Sequence, residues 1–154
     1  MAKKFLVAVN ARYLSQVQWG IQATHVLTQM IEYADQYPEI IKIVREYSQP
    51  NGHTIVILDG GTSDAMLDEY LSYLPEDFAG DEGNQAYLAT FEDQTQVPMA
   101  IFRESNLQNA VTAFGVIVDE DWRQDISSLI TDFVVFMTDA ERLVSYFNKL
   151  PLAR

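Results

Sequence analysis

The chain has no cysteine, which excludes disulfides, thiolate nucleophiles and sulfur-held zinc or iron, and fits a reducing cytoplasmic setting. Positive charge is scarce too. Ten lysines and arginines face 22 aspartates and glutamates, a formal net charge of −12 with both histidines neutral. A surface of that average sign repels phosphate backbones and anionic lipid, so neither nucleic acid nor membrane is the expected partner. Long apolar runs are missing as well. Met1 to Lys4 followed by Phe5 to Val9 has the basic start of a signal peptide, but the run halts at Asn10 and Arg12, too short for export. The uncharged stretch Tyr13 to Ile31 carries Gln16, Gln18, Gln22, His25 and Gln29, too polar for a bilayer span. What is present is 154 residues, 48% hydrophobic, 12% aromatic and 21% charged, the composition of one globular domain over residues 1–154.

Periodicity predicts the elements. Phe5 to Val9 reads as a short buried strand, and Ser15 with Gln18 forms a capping box that opens a helix to about Ala34. A second helix starts near Pro38 and stops before the Pro50-Asn51-Gly52 turn. Thr54 to Leu58 is a strand broken by Gly60-Gly61, after which Thr62 or Ser63 caps a helix through Leu74. Pro75 to Gln85 reads as an acidic surface loop, and Ala86 to Phe91 with Val97 to Phe102 as a hairpin. Ser105 with Gln108 suggests a short helix or turn, Ala113 to Val118 a strand, Asp121 to Leu129 a helix and Phe133 to Met137 a last strand. Thr138 with Glu141 caps a final helix to Leu150, ended by Pro151. Strands alternating with helices imply an α/β fold, its sheet covered on both faces.

The first helix carries the most distinctive pattern. Trp19, Ala23, Val26, Leu27, Met30, Ile31 and Ala34 share a core face. Beside it Gln18, Gln22, His25 and Gln29 line up at spacings of four, three and four, where an acidic protein would place Glu or Lys. Amides donate and accept, so such a stripe can wall a pocket for a heterocyclic base or a phosphate ester. The same stripe equally suits a helix packed against other parts of the protein, or a second subunit, with its amides satisfied there. His25 alone reads as a structural hydrogen-bonder, and His53 as a solvated turn residue. No zinc spacing and no Gly-x-Ser-x-Gly elbow occurs.

Three further segments are candidates. Asp59-Gly60-Gly61-Thr62-Ser63 could present backbone N–H groups to an anion, although its two flanking aspartates favour a plain turn and cap. Asp119-Glu120-Asp121 could hold a hard cation or simply lead into a helix. Arg103-Glu104 closes a strand, where Arg103 could contact an anion or a base, or form a surface ion pair.

Taken in order, these elements resemble the type II peptidyl-tRNA hydrolase superfamily. Phe5 to Val9 matches its first strand, and Gly20-Ile21-Gln22-Ala23-Thr24-His25-Val26 is similar to its Ala-Ala-Gln-x-x-His-Ala helix pattern. Ile101-Phe102-Arg103-Glu104 followed by Thr112 to Val118 is similar in outline to its Asp-Ala-Gly-Arg-Thr turn and following strand. Asn148 to Arg154 looks like the ending of an uncharacterised bacterial family of that fold. The resemblance implies a three-layer α/β/α fold with a mixed, mostly parallel sheet, here with an added hairpin, and a homodimer. Departures bear on activity: the two loop lysines fall at Gln16 and Gln18, the aspartate at Glu104, and no Gly-Arg-Thr stands around Asn106 to Ala110. Glutamine cannot supply a cation to a reacting ester, and a tRNA-binding enzyme would show a basic footprint.

The functional expectation is therefore a non-catalytic protein that binds or sequesters a small nucleotide-like ligand, as small viral counter-defence proteins do, with no cofactor, no catalytic residue and no metal ligand. Its candidate contacts are Gln18, Gln22, His25, Gln29, Arg103, Glu104 and Thr112. Two alternatives stand beside it: a diverged peptidyl-tRNA hydrolase using Glu104 and His25, and an acidic interaction module that meets a basic partner.

Overall fold

A computed structural model describes residues 3–49, 54–75, 84–92, 94–120 and 138–154. Strand β1 spans Lys3–Asn10 and lies inside a five-stranded sheet whose order is β2-β1-β5-β4-β3. The others are β2 (Thr54–Gly61), β3 (Gln85–Thr90), β4 (Gln96–Glu104) and β5 (Ala110–Asp119). The chain is thus α/β with a mixed sheet, but the expected mostly parallel arrangement is overturned. Among the described residues only β1 and β2 run parallel; β1–β5, β4–β5 and β3–β4 are antiparallel. The cause is connection length. The path from β1 to β2 carries two helices and can cross over, whereas β4 returns to β5 through residues 105–109 alone, a 3-10 turn with Gln108 and Asn109 in the left-handed region. So short a link permits only an antiparallel neighbour.

Local chemistry sets the helices. Helix α1 (Gln16–Glu32) begins where Ser15 Oγ accepts from the Gln18 N–H, and the Gln18 amide oxygen in turn accepts from Leu14 N. A 3-10 turn, Tyr33–Asp35, ends it near the expected boundary. Helix α2 (Pro38–Tyr47) has proline in its first turn. Thr62 caps α3 (Ser63–Leu71) and Thr138 caps α4 (Asp139–Lys149), each side-chain oxygen accepting from the N–H three residues on. Gly60 and Gly61 do not break β2, which runs through both, and α3 stops three residues short of Leu74. The helix expected over Asp121 to Leu129 and the strand over Phe133 to Met137 lie outside the described residues, as do His53, the Pro50-Asn51-Gly52 turn and most of the Pro75 to Gln85 loop.

Alternation along β1 divides the core. Phe5, Val7 and Val9 join α1 and α2 through Trp19, Ala23, Val26, Met30 and Ile40, while Leu6 and Ala8 join α3 and α4 through Met66, Tyr70, Leu143 and Phe147. Ile31, expected on the core face, is instead 48% exposed.

Helix α1 reaches the sheet over Gly115. A Cβ there would stand 2.6 Å from Phe5 Cε1 and 2.8 Å from Val26 Cγ1, so neither neighbour could stay in place. Gly115→Ala should therefore destabilise the protein by about 1–3 kcal/mol, read as a lowered urea midpoint. An unchanged midpoint would mean that α1 does not pack this closely.

Candidate ligand-binding site

At one end of the sheet β5 takes an extra residue. Phe102 pairs with Ala113 and Arg103 with Val111, which leaves Thr112 as a bulge without an opposite number. Ala113 belongs to the core under α1 and Val111 to the core under α3. Thr112, buried, faces α1 with Ala113, and its hydroxyl donates to Gln22 Oε1 at 2.6 Å. A buried amide and a buried hydroxyl thus satisfy each other, as low-dielectric surroundings require.

The Thr112 hydroxyl also lies near enough to the Tyr13 phenol to act on its ionisation. Burial pushes the Tyr13 pKa above its usual value and the Glu104 carboxylate adds to this, while Arg12 and the Thr112 hydroxyl act the other way. Of the expected contacts, Thr112 and Glu104 therefore act on Tyr13, and Gln22 is joined to Thr112.

The remaining four are placed differently. Gln18 is exposed and its amide turns back to Leu14 N. His25 stacks flat on Phe102, with ring centroids 4.1 Å apart and planes 9° apart, so one imidazole face is used in packing. Gln29 is buried. Arg103 pairs in register with Val111, on the α3 side of the sheet, and its charge acts on the buried Tyr70 phenol there. It is separated by the sheet from the glutamine and histidine row.

A hollow of about 70 Å³ opens at the carboxyl ends of β1 and β2, the parallel pair, where α/β sheets commonly bind ligands. Its lining includes Asn10, Tyr13, Leu14, Trp19, Asp59 and Arg154. None of the seven expected contacts borders it, yet Tyr13, which does, is acted on by the Thr112 hydroxyl of the Gln22–Thr112 pair. Asn10 Nδ2 donates to Val111 O, and Trp19 Nε1 donates to Tyr13 O at 2.8 Å, which holds the aromatic wall. Arg154 arrives because the last residues run along β2: Asp59 N donates to Pro151 O and Ala153 N to Ile57 O. The sequence signals none of these neighbours, since they come from three distant segments, except that Pro151 must end α4 and leave an extended tail.

Comparison with protein-family models and with curated proteins finds no match for this chain.

The two other candidate segments have their groups engaged locally. Asp59 Oδ1 accepts from Gly61 N, so the turn's own carboxylate takes an N–H that an anion would need. Lys3 pairs with Asp119 at 2.6 Å and Lys4 donates to the Glu120 carbonyl, while Asp121 lies outside the described residues. Among the described residues no cluster of three or more histidines and carboxylates is placed to hold a metal. A wider surface trough of about 270 Å³ at the opposite end of β1 is bordered by Lys3, Lys42, Glu39, Glu46 and Asp119, where Lys3 already pairs with two of the acids.

Tyr13 shares its raised pKa with Tyr47, Tyr70, Tyr73 and Tyr146, and burial is the leading cause in each. Tyr73 also donates to Glu69 Oε1. The fold favours the neutral phenols, so this stabilisation is whole below the unfolded value of about 10 and is lost as pH rises beyond it towards the folded values. Denaturant midpoints should therefore stay level up to about pH 10 and fall above it, with tyrosinate absorbance of the native protein lagging that of the unfolded chain. Native and unfolded titrations that coincide would contradict these burials.

Proposed function

We propose that the chain is a non-catalytic, cytoplasmic small-ligand-binding protein on a three-layer, peptidyl-tRNA-hydrolase-II-like fold, dimeric, and that its ligand is nucleotide-like. The observation that carries the reading is the position of Tyr13, which walls the hollow at the ends of β1 and β2 and lies within the influence of the Thr112 hydroxyl of the buried Gln22–Thr112 pair. An aromatic wall with Trp19 gives a stacking surface, and Arg154 with Asn10 offers donors to an anion or a base edge. A volume of about 70 Å³ is well below the roughly 300–1,000 Å³ of a closed small-molecule pocket. One group of the ligand, a phosphate or a ring, enters the hollow, and the remainder lies on the surface beyond it.

Binding is favoured over hydrolysis by the groups around Tyr13. Gln16 and Gln18 occupy the positions where the resembled family carries cations, and both are exposed. Among the described residues no hydrogen bond joins His25 to Glu104 or Thr112, so a base-activated nucleophile is not assembled. No helix of the described residues is long and apolar enough to cross a membrane. Capture of a signalling nucleotide suits a receptive hollow with no catalytic set assembled among the described residues.

A thermal-shift screen of mono-, di- and cyclic nucleotides tests this. A ligand at about 100 times its Kd adds roughly 2.7 kcal/mol, which raises Tm by about 5–10 °C for a chain of this size, and Tyr13→Ala or Arg154→Ala should abolish the rise. No shift with any nucleotide, or turnover of peptidyl-tRNA that disappears in Glu104→Ala, would contradict the reading.

A further inference from the structure

The outward side of α1 is uncharged and apolar in a protein that is otherwise strongly acidic. Val17, Ile21, Thr24, Thr28 and Ile31 recur at intervals of three and four, the period of helix-on-helix packing, with Leu14 just ahead of the N-cap. All six are exposed, Leu14 by 77% and Val17 by 73%. The two threonines do not make the stripe polar, because Thr24 Oγ1 donates to Gly20 O and Thr28 Oγ1 to Thr24 O, each at 2.9 Å, leaving their methyl groups to face outwards. Gly20 lies alongside, and a Cβ there would meet nothing within 4 Å. Among the described residues nothing requires glycine at that point, but a closely approaching helix would.

We infer that this face of α1 binds the same face of a second copy of the chain, the two helices antiparallel across a two-fold axis near Gln22 and Ala23. The inference rests on the dimeric part of the proposed function and not on the ligand. Charge selects the partner. No charged residue stands between Arg12 and Glu32, so a basic partner would find no carboxylate on the stripe, whereas two copies of a −12 chain can meet only where like charges are absent. Charge also selects the direction. Arg12 and Glu32 are exposed at opposite ends of the stripe; antiparallel helices bring Arg12 beside the partner's Glu32, and parallel ones would set like against like. Under that two-fold Val17 faces the partner's Thr28 and Ile21 the partner's Thr24, β-branched side chains against one another, while Leu14, ahead of the helix, lies towards the partner's Ile31 at each end.

Light scattering coupled to size exclusion, run over a dilution series, tests the surface. The chain should elute with twice its monomer mass, and Ile21→Glu, which buries like charges against each other, should give a monomer of unchanged helicity that melts where the wild-type chain does when diluted to monomer. Arg12→Glu should shift the equilibrium towards monomer, and adding Glu32→Arg should restore the dimer. A dimer that survives Ile21→Glu would overturn this surface while leaving dimerisation itself standing, whereas a wild-type chain monomeric at every concentration would overturn both. A monomer that co-sediments with uncharged phosphatidylcholine vesicles would overturn the inference as well and assign the stripe to lipid. The nucleotide-induced rise in melting temperature is read separately, on the wild-type chain and on Ile21→Glu.

Discussion

The hydroxyl of Thr112 reaches Gln22 across the gap between α1 and the sheet, buried at both ends, because a bulge in β5 turns one extra residue towards the helix. Losing either partner would leave the other unsatisfied in a low-dielectric core, which costs more than the bond itself contributes. That contact fixes where the first turns of α1 sit. Their position places Trp19 so that its indole N–H closes on the Tyr13 carbonyl, and leaves the Tyr13 phenol within the influence of the Thr112 hydroxyl. The hollow beside β1 and β2 follows from it, since two of its walls are Tyr13 and Trp19.

The two long sides of α1 answer to different demands. The inward side is fitted to the sheet so closely that it needs glycine at position 115 to lie down, and it carries its polar groups either paired, as Gln22 is, or stacked, as His25 is on Phe102. The outward side keeps apolar groups in water and bends its threonine hydroxyls back onto its own backbone. An acidic chain has few places where another acidic surface can approach, and this helix is one of them.

The sequence makes legible what short-range chemistry decides. Ser15, Thr62 and Thr138 start helices because an oxygen at the N-cap meets an N–H three residues on, which no distant contact alters. Pro38 and the apolar run of β1 are of the same kind. Strand direction is not, because it depends on how far each link must travel, and β4 to β5 turned out too short to cross over. Arg103 shows the limit most sharply. Adjacent residues on a strand face opposite ways, so the register between β4 and β5, shifted at the bulge, decides which side of the sheet each one meets. The polar row on α1 was visible as a row, but whether Gln22 would meet solvent or a hydroxyl 90 residues further along depended on that same bulge. Asp59 and Arg154 join the hollow through the tail pairing with β2, which no periodicity in so few residues announces.

The latch between α1 and β5 is best tested by a double-mutant cycle on urea stability with Gln22→Met, Thr112→Val and the pair combined. Each single variant strands a buried polar group and should cost about 1–3 kcal/mol. The double variant removes both and should recover part of the loss, with a coupling of roughly 0.5–3 kcal/mol. Effects that simply add would show that the two side chains do not meet, and the position assigned to Tyr13 and the hollow would lose its support.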